Sequence, residues 1–357
     1  MATTFAVPDG RVAMAATTYT GNGSTQAVSN AVNGVSFQPD FAWIKYRGGS
    51  GYHVLVDSLR TGTGGLAILS SNATDAEYTT SLSNFVTGFN SNGVALGANS
   101  GVAYYTNVSG YSMVGWQWKA GGTAVSNTAG TITSSVSANP TAGFSVVTYT
   151  GTLSAAGTAT VGHGLGVAPA MIITKSRSAT SDWIVHHTSL STPSYAAFLN
   201  TTATPSDTSA YGTIAASTAS VFTTNYVTGM NISGVTTVAY CWAPVAGYSA
   251  FGSYTGNGSA DGPFIYTGFR PRYILIKSSG SAQGWVLQDS SRQPYNYTLR
   301  NALFANDAMA ELNDAYPTDF LSNGFKIRNS GDGVNTSAVT YIYAAFAENP
   351  LKYSNAR

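Results

Sequence analysis

Short apolar runs follow one another in the same order three times along this chain. "FQPDFAWIKYR" (37–47), "GVAPAMIITKSR" (166–177) and "GFRPRYILIKSS" (268–279) each set a proline six residues ahead of a lysine, as Pro39/Lys45, Pro169/Lys175 and Pro271/Lys277. Proline is tolerated at the first position of a strand and not inside one, so each run reads as a strand start. "MIIT" and "YILI" are nearly unbroken apolar stretches, which predicts strands buried on both faces. Ahead of each run stands Tyr-Thr-Gly, at Tyr19, Tyr149 and Tyr254. In two copies this extends to "YTGNGS", a strand running into a Gly/Asn turn where positive φ is cheap.

Further elements keep the same order. "YHVLVDSLR" (52–60), "DWIVHHTSL" (182–190) and "GWVLQDSSR" (284–292) follow the proline strands, and Ser-Asn-Gly recurs at Ser91–Gly93 and Ser322–Gly324. Each copy closes on an aromatic run: "YSMVGWQWKA", "TTVAYCWAPV" and "VTYIYAAFAE". "VSGYSMVGWQWKA" alternates and predicts a strand with one face covered. Helical pattern is thin. "RNALFANDAMAELNDAYP" (300–317) carries a weak amphipathic stripe ended by Pro317, and "SSNATDAEYTT" (70–80) occupies the matching place, so each predicts one helical turn.

Short strands, regular turns and no βαβ alternation predict an all-β chain of three tandem β-sandwich, jelly-roll-like modules with short helical turns. The expected boundaries are an N-terminal arm over 1–18, modules over 19–120, 149–246 and 247–357, and a Gly/Ser/Thr-rich connection over 121–148. Within that connection "TITSSVS" reads equally as an edge strand. The tight junction "APVAGYSAFGSYTG" predicts a rigid pair of second and third modules, with the first attached through the longer connection.

The 357 residues suit two or three domains of about 100–150 residues. Charged residues make up only 9%, against a usual ~25%, while 22 Tyr, 15 Phe and 6 Trp argue against disorder. With a net charge of +1 and no Lys/Arg run, no electrostatic footprint for nucleic acid or anionic lipid is present. No apolar run reaches the ~18–20 residues that span a bilayer, and the N-terminus lacks the pattern of a secretory signal, so synthesis in a cytoplasm is expected. Asn-X-Ser/Thr sequons such as Asn22, Asn107 and Asn257 follow from composition. The single cysteine, Cys241, lies in an apolar run and reads as a buried small hydrophobe.

Candidate chemistry is sparse. His186 and His187 are adjacent in a predicted strand and must point to opposite faces, so they cannot chelate one ion. His53 and His163 supply no zinc spacing. "GHGLGVAP" leads into a strand, whereas a phosphate cradle needs a helix N-terminus, so it reads as a turn. "NSGDGVNTS" (329–337) holds Asp332 among side-chain oxygens but lacks the closing bidentate Glu of a calcium loop. Asp57 and Asp289 occupy the same place in two copies and are expected to pair with Arg60 and Arg292. The second copy has His187 and Leu190 there, a joint loss that favours an ion pair over a catalytic acid. No catalytic, cofactor-binding or metal-binding residue is assigned, no cofactor is implied, and the ligand-binding residues are unknown at this level.

The order of these motifs over Tyr19–Arg357, and above all "YTGNGSADGPFIYTGFRP" and "YIYAAFAENPLKYSNAR", resembles a family of tailed-phage proteins described as tail-fibre or structural proteins or as a domain of unknown function. The resemblance implies a virion protein on the exterior of the particle, and the 15 Asp and Glu with no catalytic constellation argue against an enzyme. A surface appendage or tail-fibre component with a host-contact or scaffold role is preferred, with capsid decoration as the alternative. From another class, a lectin-like glycan-binding module or a polysaccharide depolymerase stands against it. Expected partners are other virion proteins, further copies of the chain (a trimer by preference) and a host glycan or protein. Whatever is bound should sit where the three copies differ.

Overall fold

The computed structural model describes residues 6–99, 103–293, 296, 301–313 and 315–348. The chain is all-β, and one strand order occurs three times. In the first sheet the opening strand Met14–Thr20 pairs with the closing strand Ser112–Trp118. That strand pairs in turn with the proline strand Phe41–Tyr46, which pairs with Val54–Asp57. Phe144–Thr150, Thr236–Trp242, Met171–Ser176 and Ile184–His187 repeat that order in the second sheet. Ser249–Thr255, Thr340–Ala347, Pro271–Ser278 and Val286–Asp289 repeat it in the third. Register is kept as well: Tyr19, Tyr149 and Tyr254 oppose Met113, Thr237 and Tyr341, each five residues before Trp118, Trp242 and Phe346.

A smaller layer lies behind each sheet, and strand alternation divides the side chains between two cores. Behind the first sheet, Ala42, Ile44, Val54 and Val56 pack with Phe85 and Val94. The alternate residues, Phe41 and Trp43, face a central cluster shared with the other two sheets. At its middle Trp118 meets Trp242 at 6.0 Å and Phe346 at 5.6 Å between ring centroids. The proline strands are therefore buried on both faces, as "MIIT" and "YILI" predict. The closing strand Ser112–Trp118 departs from expectation: Met113–Trp118 is buried throughout, because its second face is covered by the neighbouring sheets.

The Tyr-Thr-Gly motif is architectural. The hydroxyls of Tyr19, Tyr149 and Tyr254 donate to the carbonyls of Thr106, Met230 and Val334 at 2.6, 2.7 and 2.7 Å. A Cβ on Gly21, Gly151 or Gly256 would lie 2.2, 2.3 or 2.2 Å from a backbone carbonyl oxygen, so only glycine fits there. The side-chain oxygens of Asn107, Asn231 and Asn335 accept from the backbone N–H of Asn22, Thr152 and Asn257 and fix the turn.

Several boundaries need correction. The opening strand begins at Met14, inside the expected arm, because its partner strand extends to Trp118; residues 1–5 of that arm lie outside the described residues. Half of the 121–148 connection is strand. Val125–Asn127 and Ser134–Asn139 add to the edge of the second sheet, and Phe144 already belongs to its opening strand. Neither expected helical turn occurs among the described residues of 70–80 and 300–317. Residues Leu303–Phe304 form a strand, and the carbonyls of this stretch point toward another sheet rather than into a helix. The first sheet is not an appendage of the other two, since it contributes to the central cluster and contacts both. The end of the closing motif, 349–357, lies outside the described residues.

Candidate functional site

Buried polar side chains join the sheets in a cycle. Lys45, Lys175 and Lys277 are fully buried. Each donates to a carbonyl of a different sheet's segment: Lys45 to Ala308 at 2.9 Å, Lys175 to Thr74 at 3.1 Å and Lys277 to Thr202 at 2.9 Å. Eight residues beyond each lysine a ring nitrogen makes a second link. His53 Nε2 donates to the carbonyl of Phe304 at 2.9 Å, Trp183 Nε1 to Ser70 at 2.7 Å and Trp285 Nε1 to Phe198 at 2.8 Å. The backbone N–H groups of the same three residues donate to Asn72, Asn200 and Asn306. The first sheet thus reaches the third, the second reaches the first, and the third reaches the second. That is a pseudo-threefold ring within one chain.

Burial with few compensating charges pushes each of the three lysines from 10.5 down to about 8. His53 is pushed from 6.5 down to about 3, by burial first and the nearby Lys45 second. Trp43 Nε1–H donates to its Nδ1 at 2.7 Å, which fixes the proton on Nε2.

At two junctions an ionic chain runs beside these links. Arg177 pairs with Glu77, Glu77 with Arg60 and Arg60 with Asp57, and the Tyr240 hydroxyl donates to Asp57. Likewise Arg47 pairs with Glu311, Glu311 with Arg292 and Arg292 with Asp289, and Trp116 Nε1 donates to Asp289 at 2.9 Å. Burial works against the charge of Arg60, but Asp57, Tyr240 and Glu77 more than offset it and raise its pKa. The expected Asp57–Arg60 and Asp289–Arg292 pairs therefore exist, at 2.5 and 2.6 Å, and they also dock neighbouring sheets.

The third junction has lost the whole chain. Ser279, Pro205, Leu190, His187 and Ala344 stand where the other two carry Arg, Glu, Arg, Asp and a large ring. His187 donates instead to the carbonyl of Tyr343 at 3.1 Å, and the Phe251 ring lies tilted beside it, 6.2 Å between ring centroids. A cavity of about 450 Å³ opens here. His186, His187, Leu190 and Phe251 lie on its inner walls, with Thr188 and Ala216 at its exposed mouth. The adjacent histidines point to opposite faces, as strand geometry requires: His186 Nε2 lies 3.5 Å from the Met230 sulfur. His186 Nδ1 is buried and makes no hydrogen bond. Burial holds both rings neutral, each with its pKa lowered to about 4.

Other candidates resolve simply. His163 faces the Thr218 carbonyl and accepts from Leu165 N, within a turn whose Gly164 and Gly166 have φ of +72° and +74°. Cys241 is buried, and burial raises its thiol pKa. The side chain of Asp332 accepts from Thr336 on the surface. Among the described residues no cluster of three or more His, Cys, Asp or Glu is placed to hold a metal ion. No helix among them is long and apolar enough to cross a membrane.

Fold and site together define an all-β protein in which three like sheets are locked around one centre by buried lysines, indole rings and ion pairs. The chain belongs to the family described as a domain of unknown function, DUF7483, whose model matches residues 12–350. No curated protein and no solved structure matches it.

Proposed function

We propose that this chain is a structural protein of a bacteriophage virion, carried on the exterior of the particle as a surface appendage or tail-fibre component with a host-contact or scaffold role. The observation that carries the reading is the use made of the buried charges. Lys45, Lys175, Lys277 and the two Asp–Arg pairs hold three sheets together. What such a body presents is shape and surface, which agrees with the whole-chain resemblance to tailed-phage structural proteins. Assembly with other virion proteins and with further copies of itself, a trimer first, belongs to the same reading.

Capsid decoration is the second reading, and the internal pseudo-threefold favours it, because such a chain can occupy a threefold position on a shell as a monomer. Electron microscopy of purified particles labelled with gold-conjugated antibody to this chain tests both. Label on the tail supports the appendage and label on the head supports decoration. Particles without label would reject a virion role.

A further inference from the structure

We propose that the cavity at the third junction binds one uncharged, hydroxyl-bearing pyranose ring, presented as a terminal or branch residue of a surface polysaccharide. This takes the host-contact role further and rests on it for its biological meaning, but it is tested on the isolated protein.

The cavity stands where the threefold pattern fails. At the other two junctions the position of Leu190 carries Arg60 or Arg292, whose guanidinium groups fill the space between an aspartate, a glutamate and a backbone carbonyl. The ring of Tyr240 or Trp116 covers them. At the third junction these side chains are replaced by smaller or neutral groups, and two of the replacements, His187 and Leu190, line the cavity together with Phe251 of the third sheet. A packed protein interior leaves few voids larger than a water molecule, so an open 450 Å³ space at the one unlike junction marks a site.

Its chemistry selects the ligand. Among the described residues no Asp, Glu, Lys or Arg lines the cavity. A charged ligand would lose its hydration there with no counter-charge, which costs several kcal/mol. The walls combine apolar surface (Phe251, Pro169, Ile172) with hydroxyls (Thr188, Ser191, Thr223), a mixture that suits a ring with C–H faces and hydroxyl edges. His186 adds a neutral ring to the lining, its Nε2 lying against the Met230 sulfur. The volume takes a single hexose with room left for bridging water.

Saturation-transfer NMR on the full chain with the methyl glycosides of glucose, galactose and mannose tests this. A dozen heavy atoms at about −0.3 kcal/mol each bind in the low millimolar range, so probes at roughly 10 mM suffice. At least one neutral glycoside is expected to bind and to shift the His186 ring signals, while glucuronic acid gives no transfer. Ala216→Trp and Thr188→Trp, at two exposed residues of the lining, are each expected to weaken that binding about tenfold or more with thermal stability unchanged. The proposal is overturned if none of the three glycosides binds, if glucuronic acid binds as well as they do, or if a folded rim variant binds like the parent. Because particle labelling and this binding assay share no reagent, either can fail while the other succeeds.

Discussion

Trp43 donates its indole N–H to Nδ1 of His53, and both rings are buried between the first and third sheets. At the same two places the second copy has Ile173 and Trp183, and the third has Leu275 and Trp285. The large ring has changed strands while the link to the next sheet's carbonyl is kept. His53→Trp alone should cost about 1–3 kcal/mol by overpacking, and Trp43→Leu alone a similar amount or more through the cavity it leaves. The double variant W43L/H53W is expected to be more stable than the sum of the two losses by at least about 1 kcal/mol, read from a double-mutant cycle in urea.

The buried lysines give the protein an alkaline signature. Each has a folded-state pKa of about 8 against 10.5 ordinarily, so the folded chain releases these protons before the unfolded chain does. Below pH 8 the full cost of burying each charge is present. Between pH 8 and about 9 stability rises, by up to about 1.4 kcal/mol per pH unit for each lysine. Above that, Cys241 and buried tyrosines such as Tyr19, Tyr149 and Tyr254, whose pKa burial raises, work against it because the unfolded chain loses their protons first. Urea midpoints should therefore increase from pH 8 to about 9 and turn over beyond it. Lys45→Met strands the carbonyls of Tyr46, Gly51 and Ala308, should cost about 3 kcal/mol, and should remove about a third of the slope.

Asp57→Asn tests whether the ion pair docks sheets. Asp57 and Arg60 are both fully buried, so breaking the pair leaves a guanidinium short of its counter-charge at a cost of about 3–5 kcal/mol. Tyr240→Phe should cost less, about 1–3 kcal/mol, and the two losses should be strongly non-additive because Tyr240 bonds to both partners. An Asp57→Asn protein of unchanged stability would remove the docking role.

On the acid side the slope has the same sign. His53, His186 and His187 are neutral in the fold, with pKa lowered from 6.5 to about 3, 4 and 4. Their contribution is complete above pH 6.5 and is lost as pH falls toward 4, where the unfolded chain takes up protons that the folded chain refuses. Unfolding is expected to bind close to three protons at pH 5, measured from the pH dependence of the urea midpoint.

Much of this was legible in the chain. The Pro-to-Lys spacing, the Tyr-Thr-Gly openings and the aromatic closures mark strands that the structure forms in one repeated order, and the Asp–Arg spacing gives the ion pairs. What sequence reasoning missed were the acceptors. Backbone carbonyls at Ala308, Thr74 and Thr202 have no side-chain signature, so a weak amphipathic stripe near Met309 and Leu312 reads as helix although its carbonyls serve Lys45 and His53. The placement of the first sheet was misread for a related reason: alternation cannot say whether a strand's second face meets water or another sheet. The cavity had one signal, the joint replacement of Asp and Arg by His187 and Leu190. Its other absences, at Pro205, Ser279 and Ala344, become comparable only once the sheets are superposed.

The most direct test of the ring is calorimetry on the intact chain. Three sheets sharing one core and locked in a cycle should unfold together, with a single transition whose calorimetric and van't Hoff enthalpies agree. Two transitions, with 14–118 melting apart from the rest, would contradict it and restore a first module hung on a connection.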